Sequence, residues 1–229
     1  MTPAAGTRVR LRPRPGGDVW DIALNGRTAV VQGIEETLDG ELLLTVVVDD
    51  DPGQDLPGHR FFFTPAEVEP LRVLVAGIGN VFLGDDGFGV ALAQRLSQCE
   101  LPAGVDVVDY GIRGMDLAYA LADYDAAVLI DAAPRGEPPG TLYVIEPDAQ
   151  AAEGFDAHGM DPVKVLALAR TLGGVPPRTL VLGCEPLTRM TGEEDEIVGE
   201  LSAPVGAALG EAERLVRSLL EELMKGDPR

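Results

Sequence analysis

Cysteine is almost absent from this chain, with only Cys99 and Cys184 in 229 residues and no CxxC spacing. A disulfide framework is therefore excluded as the organiser of the fold, and a reducing compartment is expected. Histidine is equally scarce, with His59 and His158 alone. Basic residues are in deficit, 18 against 38 acidic ones, for a formal charge of −20. So acidic a chain repels nucleic-acid phosphates and anionic membranes, and neither is expected as a partner. Much of the acidity reads as solubility. No run of 18 apolar residues occurs, so no membrane-spanning helix is expected. The first residues, Thr-Pro-Ala-Ala-Gly and then arginines, carry no apolar leader segment, and a cytoplasmic protein is expected. What is plentiful is apolar material, 45% of residues, enough for an ordinary globular core.

Two styles of sequence meet near residue 71. Residues 1–70 read as a small β-rich, barrel-like domain. Its strand candidates are Val19–Leu24, Arg27–Ile34, Glu41–Val48 and His59–Phe63, rich in β-branched and aromatic residues. Asn25-Gly26 and Thr37-Leu38-Asp39-Gly40 supply turns. Arg8, Arg10, Arg12 and Arg14 alternate as one polar strand face would. Asp49-Asp50-Asp51-Pro52-Gly53 is an acidic turn, read as a solvated loop, and Pro65 to Pro70 as a connector.

Residues 71–229 read as an α/β domain. Strands are expected over Arg72–Ala76, Val105–Val108, Ala126–Asp131, Thr141–Ile145 and Thr179–Leu182. Helices are expected over Val90–Leu96, Leu117–Ala122, Val163–Leu172 and Val205–Met224. Such alternation argues for a mainly parallel sheet with helices on both faces. The link from Asp131 to Thr141 is short and holds Pro-Pro-Gly. It cannot cross over between parallel neighbours, so the fourth strand should run antiparallel.

In open α/β sheets ligands bind beyond the carboxyl ends of the strands. Polar residues gather there: GIGNVFLGDDGFG (77–89) after the first strand, Asp109 after the second, Asp131 at the end of the third, and Glu185 after the fifth. The glycines do not make a dinucleotide fingerprint. Gly84 follows Gly79 by five positions instead of three, and Asp85 and Asp86 occupy the place a pyrophosphate would take. No nucleotide is expected. Two carboxylates, Asp86 and Asp131, with the loop imidazole of His158, suit a divalent transition metal such as nickel, zinc or iron. The competing reading makes these residues N-caps and turn formers. His59 and Cys184 read as structural, and no serine or cysteine nucleophile is indicated.

The motifs GIGNVFLGDDGFG, Asp109-Tyr110-Gly111 with Gly114-Met115-Asp116-Leu117, LIDAA, Pro139-Gly140-Thr141, HGMDPVKVL and VLGCEP, in this order over residues 72–229, closely resemble the [NiFe]-hydrogenase maturation endopeptidases. The resemblance implies a three-layer α/β/α fold with a five-stranded mixed sheet. It implies an enzyme, a peptidase of metal-dependent or aspartic type, that removes a C-terminal extension from the hydrogenase large-subunit precursor after nickel insertion. The nickel is supplied by the substrate and is not a resident cofactor. The metal-contacting and catalytic positions map to Asp86, Asp131 and His158, with Asp109 as a further acid near the cleft. Residues 1–70 lie outside the resemblance. The alternative kept open is a non-proteolytic chaperone that binds the hydrogenase subunit on the same fold.

Overall fold

The computed structural model describes residues 2–14, 19–49, 51, 60–147, 162–188 and 199–225. The chain divides into two compact units, Met1–Leu71 with Leu220–Arg229, and Arg72–Leu219. The end of the chain thus groups with the front residues, joined to them by an antiparallel bridge from Thr7 to Lys225. A linear division at residue 70 does not include this return.

The front unit is one antiparallel sheet. Its strands are β1 (Arg8–Leu11), β2 (Thr28–Glu36), β3 (Leu42–Val48), β4 (Phe61–Phe63) and β5 (Val68–Pro70), in the order β4-β3-β2-β1-β5. Strand alternation places Val9 and Leu11 inward, with Leu44, Val46, Val48 and Phe63, while Arg8 and Arg10 take the other face of β1. Phe62, between two inward-leaning neighbours, is 55% exposed. The β2–β3 hairpin turns at Thr37–Gly40, where Gly40 has φ 80° and donates its N–H to the Thr37 carbonyl. Asp49 of the acidic turn accepts from Arg8 and from the Thr28 hydroxyl at 2.7 Å, which is a structural use.

Two expectations for this unit need correcting. Val19–Leu24 is not a strand but the short helix α1. Its β-branched and aromatic composition favours a strand, yet Ile22 is 77% exposed and Leu24 is buried, so no two-residue period is in use. Asn25-Gly26 then ends a helix: Gly26 takes φ 82° and donates to the Leu11 carbonyl. The expected connector at 65–70 contains structure of its own. A 3₁₀ turn, Pro65–Glu67, is closed by a capping box in which the Thr64 N–H and hydroxyl both donate to the Glu67 carboxylate. Strand β5 follows and pairs with β1 at the sheet edge, where its terminal proline costs no ladder bond.

The second unit carries a five-stranded mixed sheet made of β6 (Val73–Ile78), β7 (Val105–Gly111), β8 (Ala126–Ala132), β9 (Leu142–Ile145) and β10 (Arg178–Cys184). Its order is β7-β6-β8-β10-β9. The first four are parallel neighbours and β9 runs antiparallel to β10, as the short link before it requires. Helices α3 (Gly114–Ala120) and α4 (Pro162–Leu172) cover one face through Leu117, Ala118, Val165, Leu166 and Ala169, against Leu74, Ala76 and Ile78. The alternate residues of β6 face α2 (Phe88–Leu96): a Cβ on Gly77 would fall 2.4 Å from the Gly89 carbonyl and 2.6 Å from the Ala93 methyl. Helix α5 (Ala203–Met224) joins α2 through an ion pair of 2.6 Å between Arg95 and Glu213. The three layers expected from the sequence are therefore present.

Candidate active site

Register within the sheet fixes which side chains share its carboxyl rim. Gly77 of β6 lies opposite Asp109 of β7 and Ile130 of β8, so Asp109 and Asp131 flank the chain as it leaves β6. The loop that follows carries Asp86 on a 3₁₀ turn, Gly84–Gly87. Asp86, Asp109 and Asp131 thus come together at the carboxyl ends of three adjacent parallel strands. They do not close into a cluster. Among the described residues no group of three His, Cys, Asp or Glu side chains could hold a metal ion. His158 and His59 lie outside the described residues.

The loop is drawn tightly onto the sheet. Gly79 has φ 125°, and a Cβ there would fall 1.8 Å from the Asp86 carbonyl oxygen, so any larger residue would displace the acid. A Cβ on Gly89 would meet the carbonyl oxygens of Ile130 and Ile78 at 2.2 and 2.3 Å. The close helix-on-strand approach ascribed to the third glycine of a dinucleotide motif is thus achieved here by Gly77 and Gly89.

The adjacent aspartates differ. Asp85 is fully buried and accepts from the Ser202 N–H at 2.7 Å, the Leu187 N–H at 2.8 Å, the Ser202 hydroxyl at 2.9 Å and the Thr188 N–H at 3.1 Å. Burial pushes its pKa up, but the Ser202 and Thr188 N–H groups, with the Ser202 hydroxyl and Leu187 N–H, hold it below the usual carboxylate value. It is neither a helix cap nor a metal ligand but a tie between distant loops. Asp86 is half-buried and accepts from the Asn80 N–H at 2.6 Å. Burial raises its pKa, and that one bond offsets the shift only in part. Asp131 is 6% exposed. Asp109 accepts from the Gln94 amide at 3.2 Å, and its own carbonyl takes a short bond from Arg113.

A second buried acid organises the neighbouring loop. Glu185 is 4% exposed and accepts from the Arg135 N–H at 2.6 Å, the Gly136 N–H at 3.1 Å and the Tyr143 hydroxyl at 3.3 Å. Burial opposes its ionisation, but these donors keep its pKa below the usual value. Asp85 and Glu185 were legible only as rim acids, because nothing local separates a loop tie from a ligand. Cys184 lies buried between them. Burial, then the charges of Asp85 and Glu185, push its thiol up to about 12. So raised and so buried, the thiol is disfavoured as a thiolate at neutral pH.

Comparisons with known proteins agree with this architecture. The family model described as hydrogenase maturation protease matches residues 90–219, a span that contains Asp109, Asp131 and His158 and begins just after Asp86. A hydrogenase expression/formation protein HupD of Rhodobacter capsulatus is 34% identical over 167 residues, covering 69% of this chain and 77% of the relative. The hydrogenase maturating endopeptidase HybD of Escherichia coli superposes with a TM-score of 0.55 at 27% identity, over 66% of this chain and 93% of that one. A hydrogenase 2 maturation peptidase from a Thaumarchaeota archaeon gives a TM-score of 0.50 at 32% identity, over 66% of this chain and 98% of that one.

Proposed function

Because the chain belongs to the hydrogenase maturation protease family, we propose that it is an endopeptidase that removes the C-terminal extension of a [NiFe]-hydrogenase large-subunit precursor once nickel is in place. The observation that carries this reading is the acid rim, where Asp86 and Asp131 sit, one half-buried and one buried, at the ends of adjacent strands β6 and β8.

Desolvated carboxylates gain most from an incoming cation, because burial has already stripped away their water. Nickel held by the precursor arrives with coordination positions open. Asp86, Asp131 and the imidazole of His158 complete its shell, so that only metal-loaded precursor docks productively. An empty precursor brings no cation to these acids and so lacks the metal contact by which loaded precursor is selected. Docking places the scissile bond at the metal. Polarisation of its carbonyl by the metal, or activation of water by one of the carboxylates, then promotes hydrolysis. Asp109, tethered to Gln94, lines the same rim.

The test is intact-mass measurement of a large subunit co-expressed with and without this chain, in nickel-replete and nickel-depleted cells. Shortening is expected only with both chain and nickel. Equal shortening in both media would dismiss the metal-reading step. A stable complex with no loss of mass would favour the chaperone reading instead. His158→Ala should abolish shortening, and unchanged processing would remove the imidazole from the site.

A further inference from the structure

Asp131 heads a row of register partners that crosses three strands. It pairs with Gly183 of β10, and Gly183 pairs with Tyr143 of β9. Register partners project from the same face of a sheet, so Asp131 and Tyr143 share one face with a glycine between them. A Cβ on Gly183 would fall 2.3 and 2.7 Å from two carbons of the Tyr143 ring. The ring therefore leans from the edge strand across β10, towards β8, through the space that the missing side chain leaves. Glycine inside a strand weakens it and marks a place where another group comes close.

Tyr143 is in turn bound to the chain that follows Asp131. Its hydroxyl donates to Glu185 at 3.3 Å, and the Arg135 guanidinium lies over its ring, 5.2 Å from the centre. The same Glu185 carboxylate accepts from the Arg135 N–H at 2.6 Å and the Gly136 N–H at 3.1 Å. Main-chain bonds fasten the rest of this loop: the Ala133 N–H donates to the Cys184 carbonyl, and the Gly140 N–H to the Glu185 carbonyl. Residues 134–139 are exposed, so apolar burial does little to hold them. Their shape depends on these polar ties, and Tyr143 joins the ties to the sheet. A tyrosine present for packing alone needs neither a glycine beneath its ring nor an acceptor at its tip.

We infer that Tyr143 is a positioning residue for Asp131: laid over Gly183 and bound to Glu185, it fixes the end of β8 and the loop beyond it, and so fixes where the Asp131 carboxylate meets the precursor. This role rests on the peptidase reading above. Tyr143 itself touches no reacting atom and acts through Asp131. A shift of about 1 Å in a reacting group can cost on the order of a hundredfold in rate, so a brace of one ring and one hydroxyl is enough to be read in the kinetics.

The test is a double-mutant cycle in the full chain, read as the single-turnover rate of mass loss from nickel-loaded precursor. With Asp131 present, Tyr143→Ala should cut the rate about tenfold, and Gly183→Ala, which evicts the ring, by a similar factor. Tyr143→Phe keeps the ring, loses the bond to Glu185, and should cost about threefold. In the Asp131→Asn background each change should alter the rate by less than about twofold, because the group through which it acts is gone. Assays run well below the lowest melting temperature of the set, so unfolding does not enter the rates. The same factor lost in both backgrounds overturns the inference, and so does no loss in either. In the free protein, amide hydrogen exchange at Ala133, Arg135 and Gly136 should quicken about tenfold in Tyr143→Ala. Unchanged exchange there overturns the inference with no substrate involved. If the wild type binds loaded precursor but never shortens it, the peptidase reading falls, and the same cycle read as Kd decides the role of Tyr143 separately. If the wild type shortens the precursor and the cycle is additive, the positioning role falls alone.

Discussion

In the front sheet the acids meet arginines: part-buried Arg8 with Asp49 at 3.1 Å, exposed Arg12 with Glu69 at 3.0 Å, and exposed Arg14 with part-buried Glu67 at 3.6 Å. At the carboxyl rim of the second sheet the acids meet backbone N–H groups instead. Asp85 takes those of Leu187, Thr188 and Ser202, Glu185 those of Arg135 and Gly136, and Asp86 that of Asn80. Exposed ion pairs contribute little, since water and salt serve each partner nearly as well. Buried acids held by N–H donors are locked in place. The rim is therefore a pre-set frame, and within it Asp86 is compensated less than Asp85 or Glu185.

The sharpest way to break this comparison is to neutralise a rim acid. Asp131→Asn should cut processing of nickel-loaded precursor about a hundredfold or more, read as the rate of mass loss. Wild-type rates would mean that the rim is only scaffolding.

Asp85→Ala comes next and should act on stability. It strands several buried donors and should cost about 3 kcal/mol in denaturant unfolding. The folded pKa of Asp85 lies below its ordinary value of 3.8. Its contribution is therefore complete above 3.8 and fades as pH falls through the lower folded value, so wild type and variant should converge in strong acid. A constant difference down to low pH would assign the loss to packing.

Asp86→Asn sharpens the contrast, because its sign is opposite. The folded pKa of Asp86 lies above 3.8, so ionising it in place costs stability as pH rises from 3.8 through the raised value. The variant should be more stable than wild type by ~1 kcal/mol at neutral pH, while losing activity, and should gain nothing in acid. A destabilised variant would show that the carboxylate is already compensated. The smallest effect belongs to the front sheet. Arg12→Ala should change stability by less than about 1 kcal/mol, and less still in high salt.

Element types in the second unit were legible because long strands and helices there follow their periods closely. The antiparallel β9 was readable from the ten-residue scale of the link before it, since a parallel crossover needs more chain. In the front unit Val19–Leu24 misled, because strand-favouring residues in a six-residue stretch carry too little pattern to outweigh tertiary placement of Leu24 alone. Asp86, Asp109 and Asp131 could be assigned to one rim from strand order. The unlike roles of Asp85 and Asp86 could not.

The amino-acid order alone determined which segments are strands and helices in the α/β unit, the reversed direction of its fourth strand, and the kind of side chains at its rim. These follow from local periodicity, link length and residue chemistry. Only the tertiary structure decided that Asp85 is a tie and that Asp86 is left partly desolvated. The Ser202 donor that separates their fates lies 117 residues along the chain from Asp85, and no local pattern can announce a partner so distant.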